Sequence, residues 1–114
     1  MYTTKSNKNN IQYYYSSNNK GIGIDVETRR LVHPKLYRFY NNKFDQYMTN
    51  RDILLEWTIK EACFKAVSNY GFEVKLLNEI VCDFQNHLFY FSNKKGFFRI
   101  IQDDCLIKVI AELN

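Results

Sequence analysis

GIGIDVE, residues Gly21 to Glu27, alternates apolar residues with small or acidic ones, and about thirty positions later WTIKEACFKA, Trp57 to Ala66, runs at helical spacing. A strand with period two sends Ile22, Ile24 and Val26 to one face and Gly23, Asp25 and Glu27 to the other. On the helix, Trp57, Glu61 and Lys65 sit at i, i+4 and i+8, close to one line, with Lys60 about 100° round from Glu61. Strand and helix together predict an α+β fold.

Working outward, IQYYY at 11–15, the turn formers Ser16 to Lys20 and GIGIDVE predict an N-terminal hairpin. Pro34 opens a first helix carrying Leu36, Tyr37, Phe39, Tyr40, Phe44, Tyr47 and Met48, roughly 13 residues long. Thr49 or Asn50 caps a second helix, Arg51 to Asn69, that ends at Gly71. Its apolar stripe is Leu54, Leu55, Thr58, Ile59, Ala62, Cys63, Ala66 and Val67. Beyond it, Glu79–Phe84, His87–Phe91, Phe97–Ile101 and Leu106–Glu112 read as an antiparallel meander. Residues 1–10 hold no aliphatic side chain beyond Met1 and are expected to fray, leaving a single domain over 11–114. Repeats and linkers are absent.

Composition narrows the function. With 46% hydrophobic and 17% aromatic residues in 114, the chain folds rather than staying disordered. A net charge of +4 is too mild and scattered for a dedicated nucleic-acid binder, although eleven basic against six acidic residues up to Lys65 suit an acidic or phosphorylated partner there. No apolar run approaches the roughly 20 residues of a membrane span and MYTTKSNKNN is no signal peptide, so the expected setting is cytoplasmic, without membrane contact. Cys63, Cys82 and Cys105 lack metal-site or disulfide spacing and read as reduced core thiols.

Taken alone, Asp25 and Glu27 read as a solvated strand face, and Glu61 and Lys65 as a surface ion pair worth a few tenths of a kcal/mol. If helix and strand pack so that Glu61 faces Asp25 and Glu27, three hard oxygen ligands meet, as suits Mg²⁺ shared between carboxylates, waters and a substrate phosphate. Lys65 then reaches the same phosphate as a point charge. His33 before Pro34 reads as a helix boundary and His87 as structural. Arg29 and Arg30 form either a solvated loop or a docking site for an acidic helix, and Tyr13 to Tyr15 alternate as core-packing residues.

The two stretches together resemble the paired signature of the 4'-phosphopantetheinyl transferase superfamily, a G-I-D-x-E strand followed by W-[ST]-x-K-E-[AS]-x-x-K on a helix, with RFYNNKFDQYM at 38–48 similar to the aromatic helix between them. The resemblance implies Mg²⁺-dependent transfer of the phosphopantetheine arm of coenzyme A to a serine of an acyl or peptidyl carrier protein, as in fatty-acid or polyketide synthesis. Residue by residue, Asp25, Glu27 and Glu61 match the metal-binding acids. Lys60 and Lys65 match the motif's lysines, of which the second is placed near the pyrophosphate. Glu61 and Lys65 are then the catalytic candidates, with Glu61 or a metal-bound water as base. The length is similar to the single-domain acyl-carrier-protein synthases, whereas the D-x-E spacing is similar to the second half of the two-domain members. Both imply assembly of like units, here a homodimer or trimer. The alternative is a degenerate half that binds coenzyme A or a carrier protein without catalysis.

Overall fold

The computed structural model describes residues 1–114. In chain order it forms β1 (Tyr2–Lys8), β2 (Ile11–Ser17), β3 (Ile22–Thr28), a 3₁₀ turn (Pro34–Phe39), α1 (Ile53–Tyr70), a second 3₁₀ turn (Leu77–Glu79), β4 (Val81–Asp83), β5 (Leu88–Phe91), β6 (Lys94–Gln102) and β7 (Leu106–Leu113). The architecture is α+β: a two-stranded sheet β1-β2, a five-stranded sheet ordered β3-β7-β6-β5-β4, and one main helix, all strand pairs being antiparallel.

The hairpin differs from expectation. Residues 1–10 are not frayed: Tyr2–Lys8 pairs with Ile11–Ser17 through the turn Asn9-Asn10, whose φ angles of 54° and 65° match a two-residue hairpin turn and suit asparagine. Thr4 and Ser6 are buried on alternate positions, so polar side chains hide a strand that composition alone reads as loose. β3 therefore pairs with β7 instead of β2, with Ile24 opposite Ile110 and Asp25 opposite Val109.

That pairing makes three layers. Ile24, Val26 and Ile110 form a small cluster capped by Tyr13 and Tyr15 of β2, while the exposed Tyr14 points away, as the alternation predicted. The opposite face of β3 and β7 meets α1. All eight residues of the predicted helix stripe are buried there, against Ile107, Val109, Ala111, Leu113 and Phe98. The polar side of GIGIDVE thus faces the helix rather than solvent. Only glycine permits this approach at position 23, where a Cβ would overlap the Ala62 carbonyl oxygen and lie 2.7 Å from the Ala66 nitrogen.

α1 is capped by Asp52, not Thr49 or Asn50; its carboxylate accepts from the Leu55 N–H at 3.1 Å, and Gly71 closes the far end at φ 123°. The expected first helix is a six-residue 3₁₀ turn. His33 caps it by accepting from the Lys35 N–H, the boundary role read from sequence. Beyond Tyr40, Asn42 accepts from the Phe44 N–H and Asp45 accepts from the Asn42 N–H. These local bonds compete with a helical continuation, and Gln46 instead bridges to Asp83. His87 takes a positive φ of 59° in the β4–β5 turn and stacks on Phe98, a structural placement. Cys63 and Cys82 are buried and free, but Cys105 is exposed in the β6–β7 turn and is not a core thiol. No helix is long and apolar enough to cross a membrane.

Candidate functional site

Asp25 is buried on β3, 8% exposed, beneath Lys65 of α1. The Lys65 ammonium donates to the Ile24 carbonyl at 2.8 Å and reaches Asp25 Oδ1 at 3.5 Å. Asp25 Oδ2 is buried with no hydrogen-bond partner, the single side-chain atom in the molecule so placed. Buried carboxylate oxygens are normally hydrogen-bonded, so this one is an exception. Burial pushes the Asp25 carboxyl up to about 7; Lys65 opposes the shift, and the charges of Glu27 and Glu61 add to it.

Glu61 stands on the same helix as Lys65, close enough for its charge to raise the Asp25 carboxyl. Glu61 is half-buried on the face of α1 one turn before Lys65; burial raises its carboxyl, Lys65 lowers it, and Glu27 raises it further. Glu27 behaves differently. Burial lifts its carboxyl, but hydrogen bonds from Lys8 and Arg30 outweigh this and hold it below the ordinary range. Both cations donate to the same oxygen, Glu27 Oε2, at 2.9 Å. The strand thus carries one carboxylate neutralised by two cations and another whose Oδ2 has no hydrogen-bond donor.

The structure sets Lys65 on Asp25, pairs the neighbouring Glu27 with Lys8 and Arg30, puts Glu61 one turn before Lys65 on the same helix, and leaves Lys60 out. The Lys60 side chain is fully buried on another side of α1, where it pairs with the fully buried Asp45 carboxylate at 3.1 Å and donates to the Ile80 carbonyl. Asp45 also accepts from the Cys82 N–H at 2.7 Å, tying the 45–46 segment, α1 and β4 into one knot. Lys60 therefore corrects the expected placement of both motif lysines at one site: it secures the helix. A further cluster escaped the sequence reading altogether. Glu56 is buried, accepting from Tyr40 Oη at 2.6 Å and from Arg51 at 2.7 and 3.1 Å, while Trp57 lies edge-on to Tyr40. Lys8, the new member of the acidic site, lies in the stretch expected to fray, and its only signal was the Asn-Asn turn after it.

As a metal centre the acids fit in chemistry though not as a finished cage. No three His, Cys, Asp or Glu side chains already stand in chelating array. The donors are nonetheless hard carboxylate oxygens, one of them orphaned and buried, as Mg²⁺ sharing its shell with water and phosphate uses. Arg29 pairs with Asp52 at 3.1 Å and Arg30 with Glu27, so both arginines of the loop have acidic partners. The loop after them leaves Leu31, Phe39 and Phe44 strongly exposed, with an open groove of about 680 Å³ lined by Arg30, Leu31, Val32, His33, Lys35, Leu36 and Phe39. No family model, curated protein or solved structure matches the chain.

Proposed function

We propose that the chain is an Mg²⁺-dependent 4'-phosphopantetheinyl transferase, moving the phosphopantetheine arm of coenzyme A to a serine of an acyl or peptidyl carrier protein. The observation carrying the reading is the buried Asp25 with its unpartnered Oδ2, set under Lys65 on the strand that also carries Glu27. A merely structural acid gains nothing from such an arrangement, because leaving one buried carboxylate oxygen without a donor costs stability.

Asp25, Glu27 and Glu61 would hold Mg²⁺, which when bound neutralises charge on the pyrophosphate oxygens. Lys65, a third exposed and anchored by the Ile24 carbonyl, offers its remaining protons to the same oxygens as a fixed point charge. Glu61, or a water that the metal would hold, serves as the base for the serine proton. The serine oxygen bonds to the β-phosphorus, the bond from that phosphorus to the bridging oxygen breaks, and a nucleoside bisphosphate departs. Such transfer relies on positioning and charge stabilisation, which four residues on a rigid strand and helix supply.

The carrier protein fits the groove at 30–39. From Arg29 to Lys43 the chain has five basic residues and no acid, and the exposed Leu31 and Phe39 give an amphipathic acidic helix an apolar seat. Self-association into a dimer or trimer accompanies this reading and is checked by light scattering of the active protein. The central test is intact-mass measurement of an apo carrier protein incubated with coenzyme A, Mg²⁺ and this chain. A gain of one phosphopantetheine arm is expected, and is lost with Glu61→Gln. Binding of coenzyme A or carrier protein without any mass gain across several carriers would overturn the enzyme in favour of a binding module.

A further inference from the structure

The hairpin β1-β2 covers one face of the five-stranded sheet only over β3 and β7, where Tyr13 and Tyr15 close on Ile24, Val26 and Ile110. Over β5 and β6 the same face is open. Phe89 of β5 and Phe98 of β6 point into the core beneath α1, so strand alternation turns Tyr90, Phe97 and Ile101 outward, where they are 38%, 36% and 51% exposed. Apolar rings on a sheet face cost solvation unless something lies on them.

Cations are interleaved with these rings. Lys95 and Arg99 flank Phe97 on β6, Tyr90 stands opposite Lys95, and Lys108 stands opposite Ile101. None of the three belongs to an ion pair; those of the molecule use Lys8, Arg29, Arg30, Arg51, Lys60 and Lys65. The acids of the face are Glu112, which accepts from Tyr15 Oη at 2.8 Å and Ser17 Oγ at 3.0 Å, and Asp83, buried and accepting twice from Asn86. Both carboxylates are thus occupied within the fold, while the ammonium and guanidinium groups are not. A charge of +4 that is mild over the whole chain is concentrated here beside flat rings.

We propose that the open face of β5 and β6 binds single-stranded nucleic acid, with bases stacked on Phe97 and Tyr90 and phosphates held by Lys95, Arg99 and Lys108. The two rings come from adjacent strands and are diagonal neighbours, about 7–8 Å apart, so successive unstacked bases can each take one. From Lys95 to Ile101 the strip runs about 20 Å, room for two or three bases. A duplex keeps its base faces inside its own stack and offers the rings nothing. A second copy of the chain, packed face to face, would set Lys95 and Arg99 against their own like charges. The strip lies on the side of the sheet opposite Asp25 and α1 and does not rest on the transferase reading.

Fluorescence anisotropy with labelled dT12 tests this. The parent should bind with a Kd of about 10⁻⁵ M, weakening with salt. Phe97→Ala and Tyr90→Ala should each weaken binding about tenfold, and Phe97→Tyr should keep it. Arg99→Gln should reduce the slope of log affinity against log salt by about 0.7. Lys5→Gln, on an exposed position of β1, removes the same charge elsewhere and should change affinity less than about twofold. Thermal unfolding confirms that each variant folds. A parent that does not bind dT12, or ring variants that bind as the parent does, would overturn the proposal. So would equal affinity for a 12-base-pair duplex or for phosphatidylserine vesicles, or a doubled mass in light scattering that Phe97→Ala abolishes.

Discussion

Replacing Asp25 with asparagine should stabilise the protein while abolishing the proposed transfer, and the size of the gain follows from burial. An aspartate in the unfolded chain titrates near 3.8, whereas the folded carboxyl is pushed up to about 7. Below about pH 4 the group is protonated in both states and contributes no difference. As pH rises from there, the unfolded chain releases the proton and the folded one keeps it, so the folded state binds more protons and stability falls. Above the folded value both are ionised and the loss is complete. At about 1.36 kcal/mol per pH unit, that window corresponds to a ceiling of about 4 kcal/mol. The side chain keeps 11% of its surface, and water relieves part of the strain, so about half the ceiling is a working figure. For a chain of this length, about 2 kcal/mol raises Tm by about 8 °C. Asp25→Asn should therefore unfold about 8 °C above the parent at about pH 8, with the gap closing toward about pH 4. Differential scanning calorimetry of both proteins across that range is the assay. Comparing the two removes the titration of groups remote from Asp25 and leaves that of Asp25 with its neighbours Glu27, Glu61 and Lys65. Mg²⁺ together with coenzyme A should raise the parent's Tm and leave the variant's unmoved, because the ligand stabilises only the state it binds. A variant whose Tm runs parallel to the parent's, or below it throughout, would refute the claim that Asp25 is held ionised against its environment.

Three other substitutions separate chemistry from scaffolding. Glu61→Gln keeps size and helix propensity on a half-buried face, so thermal unfolding should change little while carrier-protein modification falls by about 10² to 10⁴. Lys60→Met leaves the buried Asp45 charge unpaired and should cost about 3–5 kcal/mol, visible as a Tm lower by more than about 10 °C; a normal Tm with lost coenzyme A binding would return Lys60 to the ligand site. Gly23→Ala drives a methyl into the backbone of α1 at Ala62 and Ala66 and should cost at least about 2 kcal/mol by chemical denaturation, with a retained fold showing a weakened Mg²⁺ response as β3 moves from Lys65.

What could be read from the sequence was whatever depends on local period. The α1 stripe emerged whole because eight residues repeat at helical spacing against one sheet. The opposed faces of Ile22–Glu27 emerged because a strand alternates. The partner of that strand did not, since β7 lies about eighty residues away in the chain and nothing local distinguishes it from β2. The acidic site was half legible for the same reason. Asp25, Glu27, Glu61 and Lys65 each lie on an element with a clear period, whereas Lys8 comes from a hairpin whose buried residues are Thr4 and Ser6, and polar burial leaves no hydrophobic trace. The Glu56–Arg51–Tyr40 cluster was hidden likewise, because Tyr40 looked like one more residue of an aromatic helix that does not form.

The two lysines of the WTIKEACFKA helix show how far such a motif can be trusted. Five positions along an α-helix turn the side chain through about 500°, leaving Lys60 and Lys65 about 140° apart around the axis. On an element packed against a sheet, two such residues cannot both face one small site. One must go to the free edge, and Lys65 does so, reaching over β3 to Asp25 while about a third of its surface stays in water. The other must go inward, where an ammonium survives only with a full set of partners. Asp45 and the Ile80 carbonyl are those partners, and both belong to segments flanking β4 at the far side of the helix. That buried pair is a poor source of net stability but a strong source of register, since any rotation of α1 would strand a charge. The register it enforces is the one in which Lys65 overlooks Asp25. Lys60 thereby sets the geometry of Lys65 over Asp25, and Lys60→Met combined with Asp45→Leu should recover Tm while leaving the proposed Mg²⁺ response of the helix face looser than in the parent; full recovery of both would show that packing alone, without the ion pair, holds the helix in register.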